Sequence, residues 1–317
     1  MFDFKAATQP TMYFIGVTTT SSSIMKVFPA WAKALSLSDV IMKGIDMGIH
    51  APAEEYRNVV RFIKHDPLSM GALVTTHKID LYNATKDMFE YLDPYALKFG
   101  ELSSISKRGD TLRGHAKDPI SSGLALEEFV PLNYWRDNQE AGVLIIGAGG
   151  SAISMCSYFM RGEFAGNYPS RIVIANRSEP RLIKIEQINK DLNPGSIECT
   201  YHLTPEPGQN DEVLKTMGKG SLIINATGLG KDRPGSPLTD DAVFPQNGLV
   251  WEINYRGDLL FLHQANKQAE ARNLHVEDGW KYFIYGWTQV ISEVFDINIE
   301  GELLMRFDNI AAGFNSK

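Results

Sequence analysis

The chain has 317 residues, of which 44% are hydrophobic and 22% are charged, and its formal net charge is −7 at pH 7. This length predicts two domains, and the composition is typical of a globular protein. The acidic balance argues against sequence-independent nucleic-acid binding, which needs a basic surface. The amino terminus lacks a basic segment followed by a long apolar core, and no run of about 18 apolar residues occurs, so the sequence predicts neither a signal peptide nor a membrane span.

The cysteine content argues against a disulfide framework. The only two cysteines are Cys156 and Cys199, which we expect to be reduced thiols. Cys and His residues show no clustering with ligand spacing, so no metal site is expected. These features favour a cytoplasmic protein.

The first part of the chain alternates short apolar runs with helical patterns. The predicted elements are a strand at 12–17, a helix at 24–35 that contains Pro29, a strand at 40–47, a helix at 53–64 and a strand at 70–75. Alternating strands and helices predict βαβ units and a mostly parallel sheet.

A second alternating block follows a predicted bridging helix at 121–129 and a predicted surface linker at 130–142. Its four short apolar runs, at 143–146, 171–175, 221–225 and 249–253, are typical of buried parallel strands. From residue 280 onward apolar residues recur at helical spacing. The predicted fold class is α/β with two domains: an N-terminal α/β domain, residues 1–118 completed by C-terminal helices 282–317, and a Rossmann-type domain, residues 119–281.

Residues 143–152 form an apolar strand that runs into a glycine-rich turn and a helix, the context that a dinucleotide-binding turn requires. Gly147 permits the tight turn, Gly149 leaves room for a pyrophosphate, and the next helical turn offers N–H groups to the anion. A strand-to-helix turn with no ligand is the alternative. The candidate cofactor-binding residues here are Gly147, Gly149, Gly150, Ser151 and Ala152.

The end of the next strand indicates which dinucleotide binds. Where the NAD form of this fold has Asp or Glu for the ribose hydroxyls, this chain has Asn176 followed by Arg177 and Ser178. Arginine suits a 2′-phosphate by charge and geometry, and Arg181 lies one helical turn further on. The pattern favours NADP over NAD, with two solvated surface arginines as the alternative.

The third strand of this block ends in Asn-Ala-Thr-Gly-Leu-Gly, residues 225–230. Ligands of open α/β sheets bind at the carboxyl ends of strands, so Thr227 and Gly228 are candidates for the nicotinamide half of the cofactor. An ordinary glycine-rich turn is the alternative.

Taken in order, GAGGSA, NRS and NATGLG resemble the nucleotide domain of the shikimate dehydrogenase family, and the resemblance extends over roughly residues 12–300. It adds Ile253 and Gly279 to the expected cofactor site. Lys78 closes a stretch that matches the family's V-T-x-P-x-K, and Asp118 matches the aspartate of its N-T-D. The resemblance implies that these two are catalytic: a lysine can move a proton on the substrate oxygen while hydride is transferred, and a carboxylate can orient both groups. A surface lysine and a helix-capping aspartate are the alternative.

The resemblance also implies substrate ligands. Thr20 and Ser22 stand where the family has two serines, although they could instead belong to a helix N-cap region. Thr75 lies next to the position of a family threonine, and Tyr255 matches a tyrosine that faces the substrate.

Several family ligands are replaced. The family's asparagines fall on Ala72, Ser103 and Ala116, its threonine on Val74 and its glutamine on Gly286. Ser103 stays a candidate ligand, and Gln289 lies one helical turn after Gly286. His77 and His115 could bind a substrate anion or cap a turn. Each lost partner can cost about 1–3 kcal/mol, so we expect a substrate other than shikimate, or shikimate held differently.

The sequence therefore predicts an NADP-dependent oxidoreductase that reversibly oxidises a secondary alcohol on a cyclic polyhydroxy acid or related polyol. One alternative is a genuine shikimate 5-dehydrogenase with a remodelled site, and another is a non-catalytic NADP-binding sensor. A folate-type methylene dehydrogenase is disfavoured, because no tyrosine partner precedes the lysine. We expect a small polar substrate, no nucleic acid or membrane partner, and a monomer or homodimer.

Overall fold

The computed structural model describes residues 4–161, 166–193, 195, 197–231 and 233–314. The chain divides into two compact units: Met1–Lys117 with Gly286–Lys317, and Asp118–Tyr285. Each contains a sheet and helices, which confirms the predicted α/β fold class. No helix in the described ranges is both long and apolar enough to cross a membrane.

The first unit contains one six-stranded mixed sheet. Its strands are β1 (Thr11–Gly16), β2 (Ile41–Asp46), β3 (Ser69–Val74), β4 (Tyr91–Leu92), β5 (Ser104–Arg108) and β6 (Thr111–His115), in the order β2-β1-β3-β5-β6-β4. β1 pairs in parallel with β2 and β3, whereas β5 runs antiparallel to β3 and β6. The helices before the second unit are α1 (Ile24–Ala34), α2 (Ala53–His65), α3 (Lys78–Thr85) and α4 (Pro94–Phe99).

The core of this unit forms between the sheet and amphipathic helices. All six residues of β1 are buried, and Val59, Val60 and Ile63 of α2 pack into the same cluster as Ile15. At Gly71, where φ is +131°, a Cβ would lie 2.1 Å from the carbonyl oxygen of Ile105, so only glycine lets β3 approach β5 this closely.

The second unit contains a six-stranded parallel sheet. Its strands are β7 (Val143–Ile146), β8 (Arg171–Asn176), β9 (Glu198–Leu203), β10 (Leu222–Asn225), β11 (Leu249–Glu252) and β12 (His275–Glu277), in the order β12-β11-β10-β7-β8-β9. All neighbouring strands pair in parallel. Counted within the unit, this order is that of a Rossmann domain, with the reversal of strand order between β7 and β10.

Helices cover this parallel sheet, as the βαβ connections require. They are α5 (Asp118–Glu127), α6 (Tyr134–Asp137), α7 (Gly150–Phe159), α8 (Glu179–Leu192), α9 (Pro207–Lys215), α10 (Leu260–Asn266) and α11 (Ala269–Arg272). The helix α12 (Trp280–Phe295) begins in the second unit and ends in the first, and α13 (Gly301–Ala312) belongs to the first. Trp31 of α1 stacks on Phe307 of α13, with 4.9 Å between ring centroids.

The predicted linker at 130–142 is wrong in part. It contains α6, and Trp135 of that helix is buried, with an edge-to-face contact of 5.8 Å to Phe159. The indole anchors the segment, because burial of its apolar surface stabilises the folded position. The predicted helix at 121–129 begins three residues earlier, at Asp118, because Pro119 fits the first turn of a helix.

Candidate functional site

The glycine-rich turn connects β7 to α7 and combines one tight contact with one open space. Gly147 has φ of +123°, and a Cβ there would lie 2.6 Å from the carbonyl oxygen of Ala226. A Cβ at Gly149, the N-cap of α7, meets no described atom within 4 Å. Gly147 is therefore required by the fold, whereas Gly149 leaves space above the N-terminus of α7. The first turn of α7, with Gly150, Ser151 and Ala152, contains no acidic residue, so its N–H groups suit an anion.

The turn lies at the switch point of the sheet. The backbone of Ala226, just after β10, donates to the carbonyl of Ile146 at the end of β7 over 2.8 Å. The turn at 147–149 and the loop at 226–230 thus leave neighbouring strands at the same edge, where open α/β sheets bind ligands.

The two predicted 2′-phosphate ligands are exposed at the end of β8. Arg177 follows this strand directly, and Arg181 lies in the first turn of α8. Within the described ranges, neither forms a salt bridge with a carboxylate. The Asn176 amide donates to the Ser178 carbonyl over 3.1 Å, which fixes the turn between strand and helix. Two unneutralised guanidinium groups, four residues apart, suit a phosphate.

A buried hydrogen-bond network supports the loop after β10. The Asn225 amide donates to the Glu252 carboxylate over 2.6 Å, and Thr227 donates to Asn225 through its hydroxyl over 2.7 Å. The other Glu252 oxygen accepts from the backbone and the amide of Asn254 at 2.9 and 2.7 Å. Burial raises the pKa of Glu252 to about 7, against the opposing effect of these hydrogen bonds. Glu252 was not predicted from the sequence, although a carboxylate at the end of an apolar strand is a signal for such a role.

The remaining predicted cofactor residues, Ile253 and Gly279, and the predicted substrate ligand Tyr255 lie beside this network. Ile253 donates its backbone N–H to the carbonyl of Asn225 over 3.3 Å. A Cβ on Gly279 would lie 2.0 Å from the carbonyl oxygen of Ile253, so the chain passes closely here. The ring of Tyr255 packs on Phe283 at 4.6 Å. The second unit therefore brings Thr227, Gly228, Ile253, Gly279 and Tyr255 to one edge of its sheet.

In the first unit, Lys78 begins α3 directly after the turn that follows β3, and it is partly exposed. Its backbone N–H donates to Thr75 over 3.0 Å, and its carbonyl accepts from Leu102 over 3.1 Å. Thr75 is itself fixed by a 3.0 Å bond to the carbonyl of Ile15. Thr75 and Lys78 therefore share one turn at the carboxyl end of the sheet.

His77 is 1% exposed, and its Nδ1 lies 3.0 Å from the hydroxyl of Tyr56. Burial lowers its pKa, so the imidazole is neutral at pH 7. It occupies the N-cap position of α3 but makes no side-chain cap bond. His77 therefore packs beneath the turn and does not cap α3, whereas anion binding stays a prediction.

The loop after β1 carries Thr20 and Ser22. Thr19 anchors it through two bonds to the Asp46 carboxylate, 2.8 Å from its N–H and 2.6 Å from its hydroxyl. Thr20 is exposed and Ser22 partly exposed. Both lie just before the N-cap of α1, which is Ser23, and Ser23 makes no side-chain cap bond. Asp46, at the end of β2, was missed, since nothing in the sequence pairs it with a loop 27 residues away.

Ser103 has a structural role that the sequence did not predict. It is 2% exposed, and its hydroxyl accepts from the N–H of Lys117 over 2.7 Å and donates to the carbonyl of His115 over 3.4 Å. These bonds argue against Ser103 as a substrate ligand. Ala72 and Ala116 are fully buried, so the positions of two family asparagines offer no polar group.

The remaining predicted residues, Asp118 and Gln289, lie on the helices α5 and α12. Asp118 is the first residue of α5 and is buried. Gln289 lies on α12 and is partly exposed, and a Cβ on Gly286 meets no described atom within 4 Å. Within the described ranges, no group of three His, Cys, Asp or Glu residues could hold a metal ion.

Comparisons with known proteins found relatives by sequence and by fold. No family model matches the chain. It is 25% identical over 185 residues to the shikimate dehydrogenase (NADP(+)) of Lactococcus lactis subsp. cremoris, which covers 57% of this chain and 60% of that protein. The chain thus spans about three fifths of that relative's length.

Two solved structures share the fold over almost the whole chain. Shikimate 5-dehydrogenase from Listeria monocytogenes, in complex with shikimate and NAD, has a TM-score of 0.69 at 17% identity and covers 98% of this chain and 99% of its own. Quinate dehydrogenase from Corynebacterium glutamicum, in complex with NAD, has a TM-score of 0.69 at 14% identity, with coverages of 96% and 99%.

Proposed function

We propose that this chain, a shikimate dehydrogenase-like protein, is an NADP-dependent oxidoreductase that acts on the CH–OH group of a small polar substrate. The observation that carries the proposal is the space above the N-terminus of α7, bordered by Gly149, together with the exposed pair Arg177 and Arg181 at the end of the next strand. In a turn that only serves packing, neighbouring atoms would fill the position of a Gly149 Cβ. Here that position is open, which suits a bound ligand.

The second unit contains residues that fit each part of NADP. We assign the pyrophosphate to the turn and first helical residues, Gly147, Gly149, Gly150, Ser151 and Ala152. We assign the 2′-phosphate to Arg177 and Arg181. Asn176 and Ser178 form the turn between β8 and α8, through the bond from the Asn176 amide to the Ser178 carbonyl. Thr227, Gly228, Ile253 and Gly279 line the nicotinamide half. When bound, NADP supplies or accepts the hydride. NAD is disfavoured, because β8 ends in an amide and not in a carboxylate.

Lys78 is the proposed proton donor and acceptor at the substrate oxygen, and Asp118 the carboxylate that orients the reacting groups. The turn that begins α3 fixes Lys78 through backbone bonds to Thr75 and Leu102. These bonds fix the backbone position from which the Lys78 side chain reaches a substrate hydroxyl group, which favours proton transfer.

The proposed substrate is a cyclic polyhydroxy acid or a related polyol, held by Thr20, Ser22, Thr75, Tyr255 and Gln289. Hydroxyl groups on the anchored loop after β1 suit a carboxylate or a polyol. Ala72 and Ala116 are apolar and buried, and Gly286 leaves an open position, so the ligand set differs from that of the family.

Residues 1–118 with 282–317 are the proposed substrate-binding domain, and residues 119–281 are the proposed NADP-binding domain. Cytoplasmic location, a monomeric or homodimeric state and the absence of a nucleic-acid partner stay predictions.

The test is NADP+ reduction with a panel of cyclic polyols and hydroxy acids that includes shikimate and quinate. We expect turnover with at least one compound, its loss in Lys78→Ala, and its retention in Lys98→Ala, which removes an exposed lysine of the same unit. Equal activity in Lys78→Ala and the unmodified protein would remove Lys78 from the mechanism.

Two other candidates predict different results from this panel. A shikimate dehydrogenase with a remodelled site predicts a kcat/KM for shikimate on the order of 10⁴ M⁻¹s⁻¹ or more. A non-catalytic sensor predicts NADPH binding by calorimetry without turnover of any compound. The fixed turn that holds Lys78 favours an enzyme over the sensor.

A further inference from the structure

Glu293 lies on the last turn of α12 and contacts His115, the last residue of β6, and Lys117, which precedes α5. One carboxylate oxygen lies 2.7 Å from Nζ of Lys117, and the other lies 3.3 Å from Nε2 of His115. The three side chains are 8–19% exposed. They therefore form a mostly buried cluster within the first unit.

The charges in this cluster balance. Burial lowers the pKa of His115 to about 4, against the opposing charge of Glu293, so the imidazole is neutral at pH 7. Burial alone would raise the pKa of Glu293, but the hydrogen bond from Lys117 and the nearby positive charges outweigh it, and the net shift is downward. One ammonium thus neutralises one carboxylate, which makes His115 a poor ligand for a substrate anion.

Hydrogen bonds connect this cluster to the turn that carries Lys78. The backbone of Lys117 donates to the Ser103 hydroxyl over 2.7 Å, and the backbone of Ser103 donates to His115 over 3.0 Å. The preceding residue, Leu102, donates to the carbonyl of Lys78 over 3.1 Å. A displacement of Lys117 would therefore be transmitted to the backbone at Lys78.

The cluster also fixes the helix that carries Gln289, which lies one turn before Glu293. Arg108 holds the end of the same helix by donating to the carbonyls of Glu293 and Val294 over 2.8 and 3.0 Å. Two kinds of contact thus act at one helix end: Arg108 binds its backbone, and Lys117 binds the Glu293 side chain.

We propose that Glu293 is a positioning residue of the oxidoreductase site, acting through Lys117 and Ser103 on Lys78 and through α12 on Gln289. This inference rests on the proposed function. Glu293 is suited to the role because removal of one partner of a mostly buried ion pair leaves the other charge uncompensated, and Lys117 must then move or draw in water.

The experiment compares Glu293→Gln, Lys117→Met and the double variant, with the best substrate of the panel. We expect Glu293→Gln to lower kcat about tenfold or more, as displacement of a reacting group does, with KM for NADP+ within about twofold of the unmodified protein. Lys117→Met should have a similar effect, and the double variant should be no worse than the poorer single variant, because both changes remove the same contact.

Two control variants separate positioning from simple anchoring. Glu302→Gln removes an exposed carboxylate of α13 and should leave kcat unchanged. Arg108→Met releases the end of α12 without touching Lys117, so it disturbs only the route through α12 to Gln289 and should lower kcat less than Glu293→Gln does. A readout without substrate is the NMR signal of the His115 imidazole, which should shift in Glu293→Gln and much less in Arg108→Met.

An unchanged kcat in Glu293→Gln would overturn this inference while leaving the proposed function intact. So would additive losses in the double variant, or an equal loss of kcat in Arg108→Met. Absence of turnover by the unmodified protein would overturn the proposed function and this inference with it. If Glu293→Gln does not fold, Glu293→Asp replaces it, because this variant keeps the charge on a shorter side chain. The same changes in kcat and in KM for NADP+ are expected.

Discussion

The side chain of Asn225 donates a buried hydrogen bond of 2.6 Å to Glu252 and so joins the ends of β10 and β11. Both residues are fully buried. The same carboxylate holds Asn254, whose amide also donates to the carbonyl of Thr227 over 3.1 Å. One buried acid therefore holds the two loops that we assign to the nicotinamide half of the cofactor.

This arrangement predicts a pH dependence of stability. The pKa of Glu252 is raised from 4.5 to about 7 in the folded protein, so between these values the folded state binds more protons than the unfolded chain. The contribution of Glu252 to the free energy of unfolding should be largest below pH 4.5 and should fall by about 3 kcal/mol as the pH rises to 7. Urea unfolding at pH 5 and 7.5 measures the difference.

In Glu252→Gln this part of the pH dependence should disappear, whereas Glu270→Gln, which changes an exposed glutamate of α11, should retain it. Equal slopes in all three proteins would show that Glu252 does not titrate in this range.

Two glycines of the same turn should respond differently to alanine. Gly147→Ala places a Cβ against the carbonyl of Ala226 at positive φ, so it should lower the free energy of unfolding by about 1–3 kcal/mol. Gly149→Ala adds a methyl group in open space and should leave stability within about 0.5 kcal/mol while weakening NADPH binding. Chemical denaturation and calorimetry test both, and unimpaired NADPH binding by a folded Gly149→Ala protein would argue against a pyrophosphate at this turn.

The sequence predicts the central strands well, because a continuous apolar run is a local property. The strand at 143–146 has the same bounds in the structure, and its glycine-rich turn follows where expected. The edge strand β2 was predicted, but the edge strands β4, β9 and β12 and the hairpin of β5 and β6 were missed. β9 is largely exposed and polar, and β5 and β6 carry Ser, Lys, Arg and Thr, so no apolar run marks them.

The candidate site shows a similar limit. Glycines and arginines indicate a phosphate site because backbone conformation and charge depend on residues that are adjacent in the sequence. Asp46, Glu252 and Glu293 act on loops far away in the chain, and sequence spacing does not tell which carboxylate meets which loop. The same holds for Ser103, whose hydroxyl is engaged by a backbone 14 residues away.

Arg177→Ala tests the choice of cofactor. Loss of a charged hydrogen bond to a phosphate costs about 1.5–3 kcal/mol, so KM for NADPH should rise roughly 10-fold to 100-fold. KM for NADH should change little, because NADH has no 2′-phosphate. Arg306→Ala, which removes an exposed arginine of α13, should leave both constants unchanged. A constant KM for NADPH, with NADH used equally well, would contradict the assignment of Arg177.

Asp46→Asn tests whether the loop after β1 binds substrate. The carboxylate accepts two bonds from Thr19, and an amide that keeps one acceptor oxygen but carries no charge should hold the loop less firmly. Because Thr20 and Ser22 lie on this loop, KM for the best substrate of the panel should rise several-fold, with KM for NADP+ unchanged since the cofactor residues belong to the other unit. The matched control is Asp39→Asn, an exposed aspartate of the same unit. A parallel rise in both Michaelis constants would indicate general destabilisation, and an unchanged substrate KM would remove this loop from the proposed substrate site.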